Sequence, residues 1–128
     1  MKFNIPQKPL KTEHHDSESF TLQVVNNKLV VTIQDVLRKS FLEQLKIKVL
    51  KEVQDKSVDS VIFDVSSLVV IDAHEFTLLV KIMRMAQLMG CYGVITGVNA
   101  GTAAFLASID IDLTNIELTR TLAQALEV

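Results

Sequence analysis

The sequence predicts a single α/β domain, a mixed β-sheet of about five strands with four helices packed on it. Three observations carry this. Strand-like and helix-like segments alternate after an opening hairpin, which is the order of a layered α/β fold. Two of the strand-like segments are almost continuously apolar, as strands covered on both faces are. The chain has 128 residues and is 48% apolar, enough for one core rather than two.

The elements follow in order. Residues 1–18 carry two prolines and mixed charges, and read as a flexible leader, which leaves 19–128 for the domain. His14 and His15 lie in that leader and read as part of a solvated tail rather than a metal site. In "FTLQVV" (20–25), Phe20, Leu22 and Val24 alternate with polar residues, the period of a half-buried strand. Asn26-Asn27 separates it from "KLVVTI" (28–33), and Asn tolerates positive φ, so the pair predicts a tight hairpin turn.

Asp35 can cap the next element, a helix over 36–56. There Leu37, Phe41, Leu45, Val49 and Val53 recur every four residues, and Leu42 and Leu50 widen the stripe. Its six basic and three acidic residues read as a solvated face. "SVIFDV" (60–65) and "CYGVITGV" (91–98) are the buried strands. Between them a helix spans 73–89, with Gly90 suited to its C′ stop. A short helix over 100–109, a strand over 115–118 and a helix over 121–128 complete the chain.

Composition excludes several functions. A formal net charge of −2 gives no electrostatic case for a nucleic-acid partner. No apolar run reaches the roughly 18 residues of a membrane span, so membrane insertion is not expected. "MKFNIPQKPLKTEHHDSES" lacks the apolar region of a signal peptide, and the lone Cys91 has no internal disulfide partner. A cytoplasmic location is expected.

The polar knot Asp72-Ala73-His74-Glu75, set between apolar runs, is the candidate site. His74-Glu75 resembles the start of H-E-x-x-H, but the second His position holds Leu78. Asp64, Asp72, His74 and Glu75 supply the donor types of an oxygen-rich metal site, without a spacing that demands one. No Ser or Cys stands in a nucleophile elbow, and "TGVNAG" (96–101) lacks the Lys-Ser/Thr ending of a phosphate-binding loop. D-x-x-E is instead a capping-box spacing. The Asp72 carboxylate would accept from the backbone near Glu75, and Glu75 would reach back to the N–H of Asp72. His74 fits this helix start less well and is expected near the surface.

The helix after the knot is apolar around most of its circumference. Thr77, Lys81, Arg84 and Gln87 form one narrow polar stripe, so either neighbouring helices or a partner protein must cover the rest. Met83, Met85 and Met89 suit an adaptable contact surface as well as a core.

From "VIFDVSSLVVIDAHE" (61–75), "AQLMGCYGVITGV" (86–98) and "IDIDLTNIELTRTLAQALE" (109–127), with the order of elements, the chain resembles the STAS-domain family. The middle and final segments look most like the stressosome scaffold branch. The family's pattern is D-[LV]-[ST], a few residues, then an apolar residue, Asp and Ser or Thr opening the second helix, and Asp64, Val65, Ser66, Ile71 and Asp72 match it. The resemblance implies a non-catalytic interaction module without cofactor. It would act as an anti-sigma-factor antagonist or a stressosome-like scaffold in a partner-switching system.

The implied partners are an anti-sigma factor or a switch-type serine/threonine kinase, and other STAS proteins, with homo-oligomers allowed. The implied partner-binding residues are Asp72, Ala73, His74, Glu75, Phe76, Thr77, Val80, Lys81 and Arg84. The family's phosphoacceptor Ser or Thr follows that Asp, and here the position is Ala73, which has no hydroxyl. The usual switch is therefore expected to be absent, or displaced to Ser66, Ser67 or Thr77. A second acceptor found in stressosome-type relatives matches Phe105, with Thr102 and Ser108 nearby. Two other readings remain open: an accessory subunit of a transporter ATPase, and a small metal-dependent enzyme using Asp64, Asp72, His74 and Glu75.

Overall fold

The computed structural model describes residues 20–34, 38–68 and 71–128. The leader with His14 and His15, and also Asp35 and Leu37, lie outside them. Within the described residues the elements are β1 (Phe20–Val25), β2 (Lys28–Ile33), α1 (Lys39–Lys56), β3 (Ser60–Asp64), α2 (Ala73–Leu88), β4 (Tyr92–Thr96), α3 (Ala100–Ser108), β5 (Ile116–Thr119) and α4 (Leu122–Leu126). This is the expected α/β order. The sheet runs β1-β2-β3-β4-β5, with β1 antiparallel to β2 and the other neighbours parallel.

Local chemistry explains the boundaries. Asn26 (φ 50°) and Asn27 (φ 65°) both occupy the left-handed region, so a two-residue loop joins β1 to β2 in their observed register. Helix α1 starts later than the expected 36. Arg38 is its N-cap, without a side-chain capping bond. The stripe residue Phe41 is buried, and its ring meets Phe20 of β1 edge-on at 5.3 Å. Helix α2 stops as its sequence predicts. Cys91 N–H donates to Ala86 O and Gly90 N–H to Gln87 O, with Gly90 at φ 103°, the two bonds of a Schellman motif.

The sheet has two unequal sides. Leu29, Val31 and Ile33 of β2, Val61 and Phe63 of β3 and Ile95 of β4 pack in the main core with α1, α2 and α3. Val30, Ile62 and Val94 point the other way and are covered by Ala125 of α4, with Leu122 and Leu126 beside them. Alternation along β1 fades toward the hairpin: Phe20 is buried, Leu22 half-buried and Val24 exposed.

Two glycines set close approaches. A Cβ on Gly93 would stand 2.9 Å from both Cγ and Sδ of Met83, so the bare backbone of β4 is what lets α2 sit down on the sheet. Gly97 (φ 88°) lies against the start of the connection between β3 and α2, where a Cβ would meet Ser66 N at 2.5 Å. Replacing Gly97 by Ala should cost roughly 1–3 kcal/mol or more, because backbone strain and a backbone clash coincide. Urea denaturation of the variant measures this, and an unchanged midpoint would contradict the close approach.

Candidate functional site

The C-terminal ends of β3 and β4 lead into α2 and α3, and the connections that leave them touch at Ser66 and Gly97. Val65 N–H donates to Thr96 O at 3.0 Å, carrying the pairing just past β3. The Asp64 carboxylate then accepts from Ser66 N–H at 3.0 Å and from the Ser66 hydroxyl at 2.7 Å, which folds the chain back. Phe76 in the first turn of α2 meets Phe105 of α3 edge-on at 6.1 Å. Asn99 caps α3, its side-chain oxygen accepting from Thr102 N–H at 2.9 Å and from the Thr102 hydroxyl at 3.2 Å.

Asp72 is the N-cap of α2, in extended geometry, and its Oδ1 accepts from Glu75 N–H at 3.0 Å. Only this half of the expected capping box forms. At the start of α4, by contrast, Thr121 and Gln124 complete the reciprocal pair. Asp72, Ala73 and His74 are exposed and Glu75 is half-buried.

The residues implied in partner binding divide by their place on the helix. Phe76 and Val80, one turn apart, lie in the core, Phe76 at 0% exposure and Val80 at 5%, so they support the surface rather than form it. Thr77 is half-buried, and its hydroxyl donates to Ala73 O at 2.9 Å. Lys81 is exposed.

Arg84 is turned to the loop before β5. Its guanidinium donates to Thr114 O at 2.7 Å, Asp112 O at 2.9 Å and Gln87 Oε1 at 2.9 Å. Gln87 donates in turn to Asn115 O at 2.8 Å. The expected polar stripe of α2 is thus in part a clamp on another loop. The residues facing solvent include apolar ones, with Met85 37% and Leu88 89% exposed.

Of the displaced acceptor candidates, Ser66 and Ser67 are exposed, but the Ser66 hydroxyl is held by Asp64. Thr102 is buried, and the Ser108 hydroxyl donates to Phe105 O at 2.7 Å. No three His, Cys, Asp or Glu side chains are grouped to hold a metal among the described residues. Asp64 and Asp72 are each occupied in fixing local backbone. Burial, with Asp59 adding to it, pushes the Cys91 thiol up from its ordinary value, opposite to the environment of a reactive thiolate.

Sequence reasoning missed an open groove of about 510 Å³ between α3 and β5, lined by Val98, Ala100, Ala103, Leu118 and Arg120. Leu118 at alternate register in an edge strand was its only sequence signal. Among the described residues no helix is long and apolar enough to cross a membrane.

This arrangement is shared with known proteins. RsbS from Moorella thermoacetica, in a serine-to-glutamate variant, matches with a TM-score of 0.72 and 28% identity over 84% of this chain and 92% of its own. A stressosome protein matches with a TM-score of 0.69 and 24% identity over 84% and 93%. The anti-sigma factor antagonist SpoIIAA in its unphosphorylated form matches with a TM-score of 0.63 and 16% identity over 84% and 94%. No protein-family model and no curated protein matches the sequence. These structural relatives are STAS-domain proteins, and the chain carries the STAS fold. They are anti-sigma-factor antagonists and stressosome proteins.

Two substitutions test the site's construction. Asp72→Ala should lower stability by about 0.5–2 kcal/mol through loss of the cap, read by urea denaturation. Arg84→Ala should cost roughly 1–2 kcal/mol and increase hydrogen exchange in residues 112–115, since two carbonyl bonds are lost. The same loop should loosen in acid. Hydrogen bonds from Thr114 hold the Asp112 carboxyl below its ordinary value, and Arg84 adds a smaller share. That contribution is complete above the ordinary Asp range and is lost as pH falls through the lowered value.

Proposed function

We propose that this chain is a non-catalytic protein-interaction module of a cytoplasmic partner-switching system, either an anti-sigma-factor antagonist or a stressosome-like scaffold subunit. The observation that carries the reading is the exposed first turn of α2, Asp72-Ala73-His74, presented at the end of the sheet in a fold shared with such proteins. On this reading a kinase or anti-sigma factor docks on that turn and on the exposed side of the helix as far as Lys81. Ala73 stands where the family's phosphoacceptor hydroxyl would be, so docking there is constitutive.

The physical consequence is specific. A phosphate at this position would add roughly −1.5 to −2 charge beside Asp72 and Glu75, and would strongly alter an interface built on the turn. Methyl at position 73 removes that lever. The nearby hydroxyls of Ser66 and Thr77 are engaged with Asp64 and with the helix backbone, which supports the absence of a displaced switch.

The test is to incubate the protein with ATP and the serine/threonine kinase encoded beside its gene, then map phosphate by mass spectrometry. The wild type should carry none on Ser66, Ser67 or Thr77, and Ala73→Ser should gain phosphate at the new hydroxyl. Stoichiometric phosphorylation of the wild type at any of the three would overturn the constitutive reading. Recovery of a transporter ATPase as the bound partner would overturn the signalling assignment.

A further inference from the structure

Helices α1 and α2 lie side by side on the sheet and leave a slot of about 100 Å³ between them. Leu42, Leu78, Ile82 and Met85 give it an apolar floor, and Lys39, Lys46 and Lys81 stand around it with one carboxylate, Glu43. The charges are not balanced at this place. Each acid of α1 is taken by a lysine of the same helix: Glu43 by Lys46 at 3.2 Å, Asp55 by Lys51 at 2.9 Å and Glu52 by Lys56 at 3.7 Å. Lys48 reaches over the Phe20 ring at 6.0 Å. Lys39 of α1 and Lys81 of α2 remain at the slot with no carboxylate partner among the described residues.

The walls decide what shape of partner fits. Both are helices whose interior main-chain groups are bonded within the helix, so an added strand would find no hydrogen-bonding edge. What the slot offers is an apolar hole lined by two unmatched cations, Lys39 and Lys81, beside the paired Lys46 and Glu43. One aliphatic side chain fills the hole, and carboxylates one helical turn to either side of it reach the lysines. Met85 gives the floor an adaptable side chain, and Leu88, one turn further along α2, extends the apolar path.

We propose that the α1–α2 slot is a docking site for an acidic amphipathic helix of a partner protein. It goes beyond the surface at Ala73. It lies on the α1 side of α2, whereas Phe76 ties the first turn of α2 to α3.

The experiment titrates a synthetic helical peptide into the isotope-labelled full chain and follows NMR shifts. The peptide carries one leucine flanked by glutamates a turn before and after it. Saturable shifts are expected at Leu42, Leu78, Lys81 and Met85. A peptide with lysines in place of the glutamates should give none. The double variant Lys39→Glu/Lys81→Glu should keep its spectrum dispersed and weaken binding about tenfold. If that variant unfolds, Lys39→Gln/Lys81→Gln supplies the comparison and should weaken binding in the same direction.

Equal shifts from both peptides, shifts confined to residues around Ala73, or no saturable shift would each overturn the proposal. So would binding to phosphatidylserine vesicles without binding of the acidic peptide, or self-association of the chain that covers the slot. None of these readouts depends on a kinase or on residue 73, so the outcome is separate from that of the signalling assignment.

Discussion

Helix α2 sits closely on the sheet where β4 has no side chain, at Gly93. A Cβ there would press on Met83, which is itself fully buried. With that space open, Phe76, Leu79 and Met83 come down together on the middle strands and lose their contact with water. Both ends of the helix are then held by local chemistry: the Asp72 cap at its start and the Schellman bonds through Gly90 at its end. The placement of everything on α2, including the exposed turn at Ala73 and the wall it gives to the α1–α2 slot, follows from this seating.

The neighbouring loops are fixed by a second set of contacts that radiate from the same helix. Arg84 and Gln87 hold the carbonyls of Asp112, Thr114 and Asn115, and so bring the chain into β5. Gly97 lets the connection after β4 pass against Ser66 in the connection after β3. The site surface is therefore a product of backbone proximity more than of side-chain chemistry. The Ser66 hydroxyl, the Asp72 carboxylate and the Thr77 hydroxyl are engaged in turn, capping and helix-backbone bonds.

Much of the fold is legible in the order of residues, because the signals are local. Two asparagines with left-handed backbone make the hairpin, an Asp opens α2, a Gly closes it, and continuous β-branched runs mark the central strands. The errors have local reasons too. The start of α1 was placed at 36, whereas the helix begins at Lys39 after its N-cap Arg38, because periodicity alone does not locate a helix end. The capping box at Asp72 was read from spacing alone, and spacing does not decide which way a glutamate side chain turns.

The sequence by itself determined the class of fold, the span of α2 between Asp72 and Gly90, and the lack of a hydroxyl at Ala73, since these depend on residue type and on period. Only the tertiary structure decided which residues of α2 reach solvent. Arg84 stood in the narrow polar stripe and proved to be a clamp, while Leu88, among the apolar residues that a neighbour or a partner could cover, is exposed. The reason is that a helix has one period but several neighbours. Which neighbour covers each side depends on how α1, α3 and the loop before β5 arrive from distant parts of the chain.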